Sequence, residues 1–362
     1  MQAKNLCFYL SDHGFGHIAR NIPLIAEAVR RIDGYVYVVC GKRHLEFAKA
    51  NLLEFLTPEQ FSRIRYRAEH TDIGLILQQG TLLVDTVALT DACAQYLAEL
   101  PERAKREAEW LRQQEIAAAL CDMPLWSISA CEQAGVPLLY VGNFTWTELY
   151  REFLPEYIWK AYAAEYRKIQ HGVLYALHNP EMLEFLPRAE LSETSLVARP
   201  FHPDEIRAIR ARHTCPIVFV ALGMSAQFTQ SVSIEGAEAH FYVTEGVPLT
   251  GSNVTVIPYS TLYTQDYVAA ADCVITKAGW GTVAECLLAQ KPMALFARDS
   301  VLEDRTTIRL LEQKKLGIKV TYEQLTEMSD LLEQMKQITY PAVPEYHNAA
   351  AEIVSKLLTL TE

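Results

Sequence analysis

The chain has 362 residues, half of them hydrophobic and 21% charged, with a formal net charge of −11. That length exceeds what a single hydrophobic core serves, so two linked domains are expected. The acidic balance argues against a nucleic-acid surface, which needs clustered Lys and Arg. The eight cysteines form no C-x-x-C pair and sit mostly in apolar runs, which predicts buried free thiols in a reducing cytosol. No apolar run approaches the roughly 20 residues of a membrane helix. Lys4 and Asn5 lead straight into a short strand, with no leader pattern. A cytoplasmic protein is expected, with peripheral membrane attachment left open.

The N-terminal half alternates strand-like and helix-like segments, the sign of a parallel sheet covered on both faces. A strand near 6–10 feeds the loop Ser11-Asp12-His13-Gly14-Phe15-Gly16-His17, which opens a helix running to about Arg31. Gly14, Gly16 and Ala19 satisfy the dinucleotide pattern G-x-G-x-x-A, a weak match when alone. A dinucleotide site also needs an acid closing the second strand, and that strand, 35–39, ends in Cys40-Gly41-Lys42. What the loop offers is imidazole, with His13 and His17 flanking the turn. His13 is divided between a site role and loop support, and His17 between a base and a cap. Asp12 and Asp122 end strands, where caps and turns favour Asp anyway.

Further strands are expected near 63–67, 116–121 and 137–141, with a long helix from about Thr86 to Gln114. Arg103 to Arg112 is interleaved with Glu102, Glu107 and Glu109 and reads as a solvated helix face. Tyr150, Phe153, Tyr157, Trp159, Tyr162 and Tyr166 are spaced mostly three or four apart. That spacing suggests a packed helix face first and an apolar groove second. An apolar segment at Val173–Leu177 precedes a break at Asn179-Pro180. With Pro187 and Pro200 it places a boundary near 178–200, giving domains 1–190 and 191–362.

In the second half, strands are expected near 216–222, 239–244, 254–257, 272–276, 293–297 and 317–320. Helices are expected near 303–314, 322–336 and 345–360, the last one able to return to the first domain. The run ending at Ile275 feeds Thr276-Lys277-Ala278-Gly279-Trp280-Gly281-Thr282-Val283-Ala284-Glu285. Glycine admits close backbone approach, and free N–H groups at a helix start attract phosphate. A carboxylate one turn in, Glu285, suits two ribose hydroxyls, whereas Lys277 reads as an exposed loop lysine. The group reads as a nucleotide diphosphate seat. The fold class expected is α/β, with two doubly wound, Rossmann-like domains facing across a cleft.

These motifs resemble those of the GT-B fold glycosyltransferases, in the branch related to the peptidoglycan N-acetylglucosaminyltransferase. They are similar above all to the glycosyltransferase-like domain of plant arabinokinases. His13-Gly14-Phe15-Gly16-His17-x-x-Arg20 is similar to that group's first loop. Asp122-x-Pro124, Ala134-Gly135-Val136-Pro137 and Asn143-Phe144-x-Trp146-x-x-x-Tyr150 resemble its acceptor-side signature. Ala278 to Glu285, followed by Arg298-Asp299 and Glu303, resembles its donor loop. The resemblance implies that His17, with His13, stands at the reacting centre and that Gly14, Gly16 and Asn143 line the acceptor side. It implies that Gly279, Trp280, Gly281 and Thr282 line a diphosphate and that Glu285 holds a ribose. Arg298, Asp299 and Glu303 would face the donor sugar. The turn Ala221-Leu222-Gly223-Met224-Ser225 has one glycine where the family usually has two, with Ser225 left as a donor to the diphosphate. Pro258 and Tyr259 fall where relatives pack the base.

The function expected is transfer of a sugar from a nucleotide diphosphate sugar, a UDP-sugar first. The acceptor is a glycan, a lipid-linked sugar or a small molecule, which the sequence does not separate. No cofactor is expected; no Asp-x-Asp motif is present, so metal independence is expected, and inversion at the sugar carbon is a separate expectation. A hydrolase or epimerase on the same fold, or a catalytically silent sugar-nucleotide binder, is the alternative.

Overall fold

The computed structural model describes residues 4–79, 83–222 and 231–362. By tertiary contact the chain divides into two units. The first takes most of the chain up to Val197 together with Asn348–Glu362, and the second is Ala198–His347.

Seven strands form the sheet of the first unit: β1 (Asn5–Leu10), β2 (Val36–Cys40), β3 (Ile64–Ala68), β4 (Ile116–Asp122), β5 (Leu138–Gly142), β6 (His171–Leu174) and β7 (Glu190–Glu193). Their order is β3-β2-β1-β4-β5-β6-β7, and every neighbouring pair is parallel. Leu6 to Leu10 are all fully buried, as an inner parallel strand covered by helices on both faces requires. The polar strand β7 gives no apolar signal in sequence, because an edge strand needs none. The order of connection reverses between β1 and β4, where Leu10 lies in register with Asp122. Ligands in open α/β sheets bind outside the carboxyl ends of strands at such a reversal.

The helix Phe15–Arg31 follows β1, and Thr86–Gln113 is the long one expected. The aromatic run falls on two helices, Trp146–Arg151 and Glu156–Tyr166, the second entered through Pro155. Tyr150, Tyr162 and Tyr166 are buried and Tyr157 is exposed, so the run is mainly a packed face. The last helix, Ala350–Thr359, lies against Phe15–Arg31, where Arg31 Nη1 donates to Ser355 Oγ at 2.6 Å.

The second unit has β8 (Ile217–Ala221), β9 (Val232–Ser233), β10 (His240–Thr244), β11 (Leu249–Thr250), β12 (Val254–Ile257), β13 (Cys273–Lys277), β14 (Met293–Phe296) and β15 (Gly317–Val320). Six of them make a parallel sheet in the order β12-β10-β8-β13-β14-β15, while β9 and β11 pair apart. Its core brings Val218, Val220, Phe241 and Ile275 against Leu325, Leu331 and Met335. The segment expected as one helix over 322–336 is a 3₁₀ turn, Glu323–Glu327, followed by the helix Met328–Lys336. The reversal of this sheet falls between β8 and β13, beside the donor-like loop. All eight cysteines are free; seven are buried and Cys215 is exposed. No helix among the described residues is long and apolar enough to cross a membrane.

Candidate functional site

Each unit carries a polar centre at the reversal of its own sheet. In the first unit Gly14 caps the helix Phe15–Arg31 with φ +78°, a conformation that glycine adopts without strain. That turn puts His17 in the helix's first turn, beside the carboxyl end of β4. His17 Nδ1 lies 2.9 Å from Asp122 Oδ1. Arg20, one turn on, donates from Nε to Asp122 Oδ2 at 2.7 Å and from Nη2 to Oδ1. Asn21 Nδ2 donates to Asp122 Oδ2 at 2.6 Å. Arg20 Nη1 reaches Asn143 Oδ1 at 2.7 Å. Asp122 is fully buried and Arg20 and Asn143 nearly so.

The electrostatics follow from this packing. Burial alone pushes the Asp122 carboxyl up, but the Arg20 guanidinium and then His17 outweigh it and hold it well below the usual carboxylate range. The site therefore contains a permanent anion at the bottom of the His17 ring. His17 Nδ1 also lies 2.9 Å from Arg20 Nη2, which can only donate. The two contacts favour opposite tautomers. The ionised carboxylate is the strong acceptor, and Arg20 already spends Nη2 on it, so Nδ1 is assigned the proton. Nε2 then keeps its lone pair.

His13 sits in a second cluster. Its N–H donates to Ser11 Oγ at 3.1 Å, and its ring stands edge-on to Trp146. The ring also lies directly on Gly74 (φ +67°), where an added Cβ would meet His13 Nδ1 at 1.9 Å. Asp12 organises the neighbouring turn, its Oδ1 accepting from Thr71 Oγ1 at 3.0 Å and its Oδ2 lying 2.9 Å from His70 Nδ1. Asp72 accepts from Trp146 Nε1 at 2.9 Å, while its other oxygen is buried with no hydrogen-bond partner among the described residues. Burial, and then the charge of Asp12, push the Asp72 carboxyl up to about 7.

In the second unit Gly279 caps the helix Trp280–Leu288 with no side-chain cap. The first bond of that helix runs from Val283 N to Gly279 O at 3.1 Å. The N–H groups of Trp280, Gly281 and Thr282 thus lie outside the helical ladder, the arrangement that attracts anions. The Trp280 side chain is buried and serves packing. Lys277, read from sequence as an exposed loop lysine, is half-buried, with Cε 3.2 Å from where a Gly279 Cβ would stand. Burial first, and Arg298 second, lower its ammonium below the usual lysine value.

The other sequence-derived donor residues are distributed differently. Arg298 is gripped by buried Asp304, Nε to Oδ2 at 2.9 Å and Nη2 to Oδ1 at 2.7 Å. Asp299 is exposed and pairs with Lys319 at 2.6 Å. Glu303 acts electrostatically on both Lys277 and Arg298. Glu285 is buried and accepts from Arg199. Ser225, with Gly223 and Met224, lies outside the described residues.

Sequence reasoning missed four of these partners. Asp122 reads as a strand-end cap and as the first residue of the Asp122-x-Pro124 resemblance; its register with Leu10 places it beside the first loop. Asn21 and Asp304 carry no motif signal of their own, and Arg199 reads only as part of Ala198-Arg199-Pro200, which resembles the family's entry to its second domain; their partners are 101, 6 and 86 residues away in sequence.

Comparison with known proteins bears on the fold. Residues 217–360 match the glycosyltransferase family 28 C-terminal domain. L-arabinokinase of Arabidopsis thaliana is 24% identical over 343 residues, which is 88% of this chain and 31% of that protein. The chain thus spans about a third of the length of that curated relative. Among solved structures, Arabidopsis thaliana UGT89C1 complexed with UDP-L-rhamnose superposes with a TM-score of 0.66 at 12% identity, covering 100% of both chains. UGT2 of Phytolacca americana, complexed with UDP-2fluoro-glucose and pterostilbene, gives 0.65 at 11% identity, covering 99% of this chain and 100% of that one. CalG4, the calicheamicin glycosyltransferase, gives 0.61 at 16%, covering 100% and 94%. The chain has the GT-B fold of these structures, and the segment 217–360 that matches the family 28 C-terminal domain covers most of the second unit and the closing helix of the first.

Proposed function

We propose that the chain transfers a sugar from a UDP-sugar to an acceptor hydroxyl by a metal-independent, inverting displacement. The observation that carries this reading is the His17–Asp122 pair, 2.9 Å apart at the reversal of the first sheet. With Nδ1–H held by a permanently ionised carboxylate, Nε2 is free to take the acceptor proton. Asp122 then stabilises the imidazolium that forms. The acceptor oxygen bonds to the anomeric carbon as the bond from that carbon to the diphosphate breaks, and the proton ends on Nε2. The electron pair leaves with the diphosphate.

The second unit supports the donor half of the reading. The helix start at Trp280–Thr282 and the ammonium of Lys277 suit a departing diphosphate without a metal, and Glu285 suits the ribose. The UDP-L-rhamnose and UDP-2fluoro-glucose complexes of the structural relatives favour uracil as the base to test first.

The test is thermal unfolding against UDP, dTDP, GDP, ADP, CMP and NAD. A ligand at about 100 times its dissociation constant adds about 2.7 kcal/mol, a shift of several degrees for domains of this size. A shift with UDP that Glu285→Ala abolishes is the expected result. No shift with any nucleoside diphosphate overturns the proposal. Product analysis of a UDP-sugar panel with and without acceptors then separates transfer from hydrolysis.

A further inference from the structure

Glu285 is not held the way a simple ion pair holds a carboxylate. Arg199 places two donors on the same oxygen: Nε reaches Oε1 at 3.2 Å and Nη2 reaches Oε1 at 3.0 Å. A symmetric fork would take both oxygens. Here Oε2 carries no hydrogen bond to the described residues and is not among the buried orphan atoms.

Arg199 is itself immobilised. Nη1 donates to Leu262 O at 2.7 Å and Nη2 to Thr264 Oγ1 at 3.1 Å. Both Arg199 and Glu285 are only 6% exposed, so neither side chain has room to swing. The guanidinium also cancels the Glu285 charge, which would otherwise repel a polyanionic nucleotide arriving at the adjacent helix start.

From this asymmetry we infer that Arg199 is a positioning residue: it holds Glu285 with one oxygen occupied and the other presented to the ribose, and so makes the site select ribonucleotides over 2′-deoxyribonucleotides. The inference rests on the donor-site reading above. Lysine cannot reproduce the function fully, because a point charge lacks the planar arrangement that holds Leu262, Thr264 and Glu285 at once.

The experiment is titration calorimetry of UDP and 2′-deoxy-UDP on the full chain, on Arg199→Met, Arg199→Lys and Glu285→Gln, with a melting curve for each. The unaltered protein should prefer UDP by about tenfold or more, the worth of a hydrogen bond to a charged group. Arg199→Met should bring the two affinities to within about twofold, and Arg199→Lys should restore part of the preference. Equal weakening of both ligands by Arg199→Met, with the preference intact, marks a merely structural arginine and overturns the inference alone. Lack of ribose preference in the unaltered protein also overturns it alone. Failure of the unaltered protein to bind either nucleotide overturns the donor reading itself. If Arg199→Met does not fold, Arg199→Lys and Glu285→Gln carry the test, and an unchanged ratio in both refutes it.

Discussion

Replacing Asp122 by Asn changes one oxygen to an amide and leaves the shape intact. Asp122 receives hydrogen bonds from Arg20 Nε and Nη2 and from Asn21, and faces His17 Nδ1. An asparagine offers one acceptor oxygen to these groups and turns an NH₂ toward the others. Arg20, 3% exposed, then keeps a buried charge without its counter-ion. Breaking a buried pair from one side costs about 3–5 kcal/mol, or about 6–20 °C in melting temperature for units of this size.

Tryptophan fluorescence in urea reads this out, because Trp110, Trp126, Trp146 and Trp159 all belong to the first unit. The pH dependence has a definite sign. The folded Asp122 is depressed below its unfolded value near 3.9, so its contribution is present above about pH 4 and is lost as pH falls toward the folded value. The gap between wild type and Asp122→Asn should be full at pH 7 and close below about pH 4. A difference under about 1 kcal/mol at pH 7, or a gap that persists unchanged into acid, would refute the buried-anion argument.

Two further variants probe neighbouring groups. His17→Ala leaves the Arg20–Asp122 pair in place, so stability and UDP affinity should change little while turnover falls about 10²–10⁴-fold; UDP release from a UDP-sugar measures it, and undiminished turnover removes His17 from the mechanism. Asp72 is raised to about 7, so the folded chain binds more protons than the unfolded one between about pH 4 and pH 7, and stability declines as pH rises through that window. Asp72→Asn can still accept from Trp146 and does not titrate, so it should gain on wild type across that window by about 1.4 kcal/mol per pH unit at most, then level off. Parallel melting-temperature profiles from pH 4 to 8 would show Asp72 ionised throughout, contrary to this reasoning.

The strands of both sheets were legible because buried parallel strands are written as short apolar runs, such as Leu6–Leu10 and Cys273–Ile275. The glycine loops were legible because Gly14 and Gly279 stand directly after such runs. β7 and the pair β9/β11 were not, since strands of two to four residues are too short to carry a periodic signal. The single helix expected over 322–336 failed at Met328, where a 3₁₀ turn hands over to an α-helix without Gly or Pro to mark the change.

The sequence by itself determined which segments form the two α/β layers and which loops open helices beside strand ends, because periodicity and glycine are local properties. It also carried the resemblance that names the fold. Only the tertiary structure decided the partners: that Asp122 is an anion beneath His17 rather than a cap, that Glu285 leans on Arg199, and that Arg298 is taken by Asp304. Strand order brings β1 beside β4 across more than 100 residues of chain, and a charge gains its meaning from what desolvates and neutralises it there.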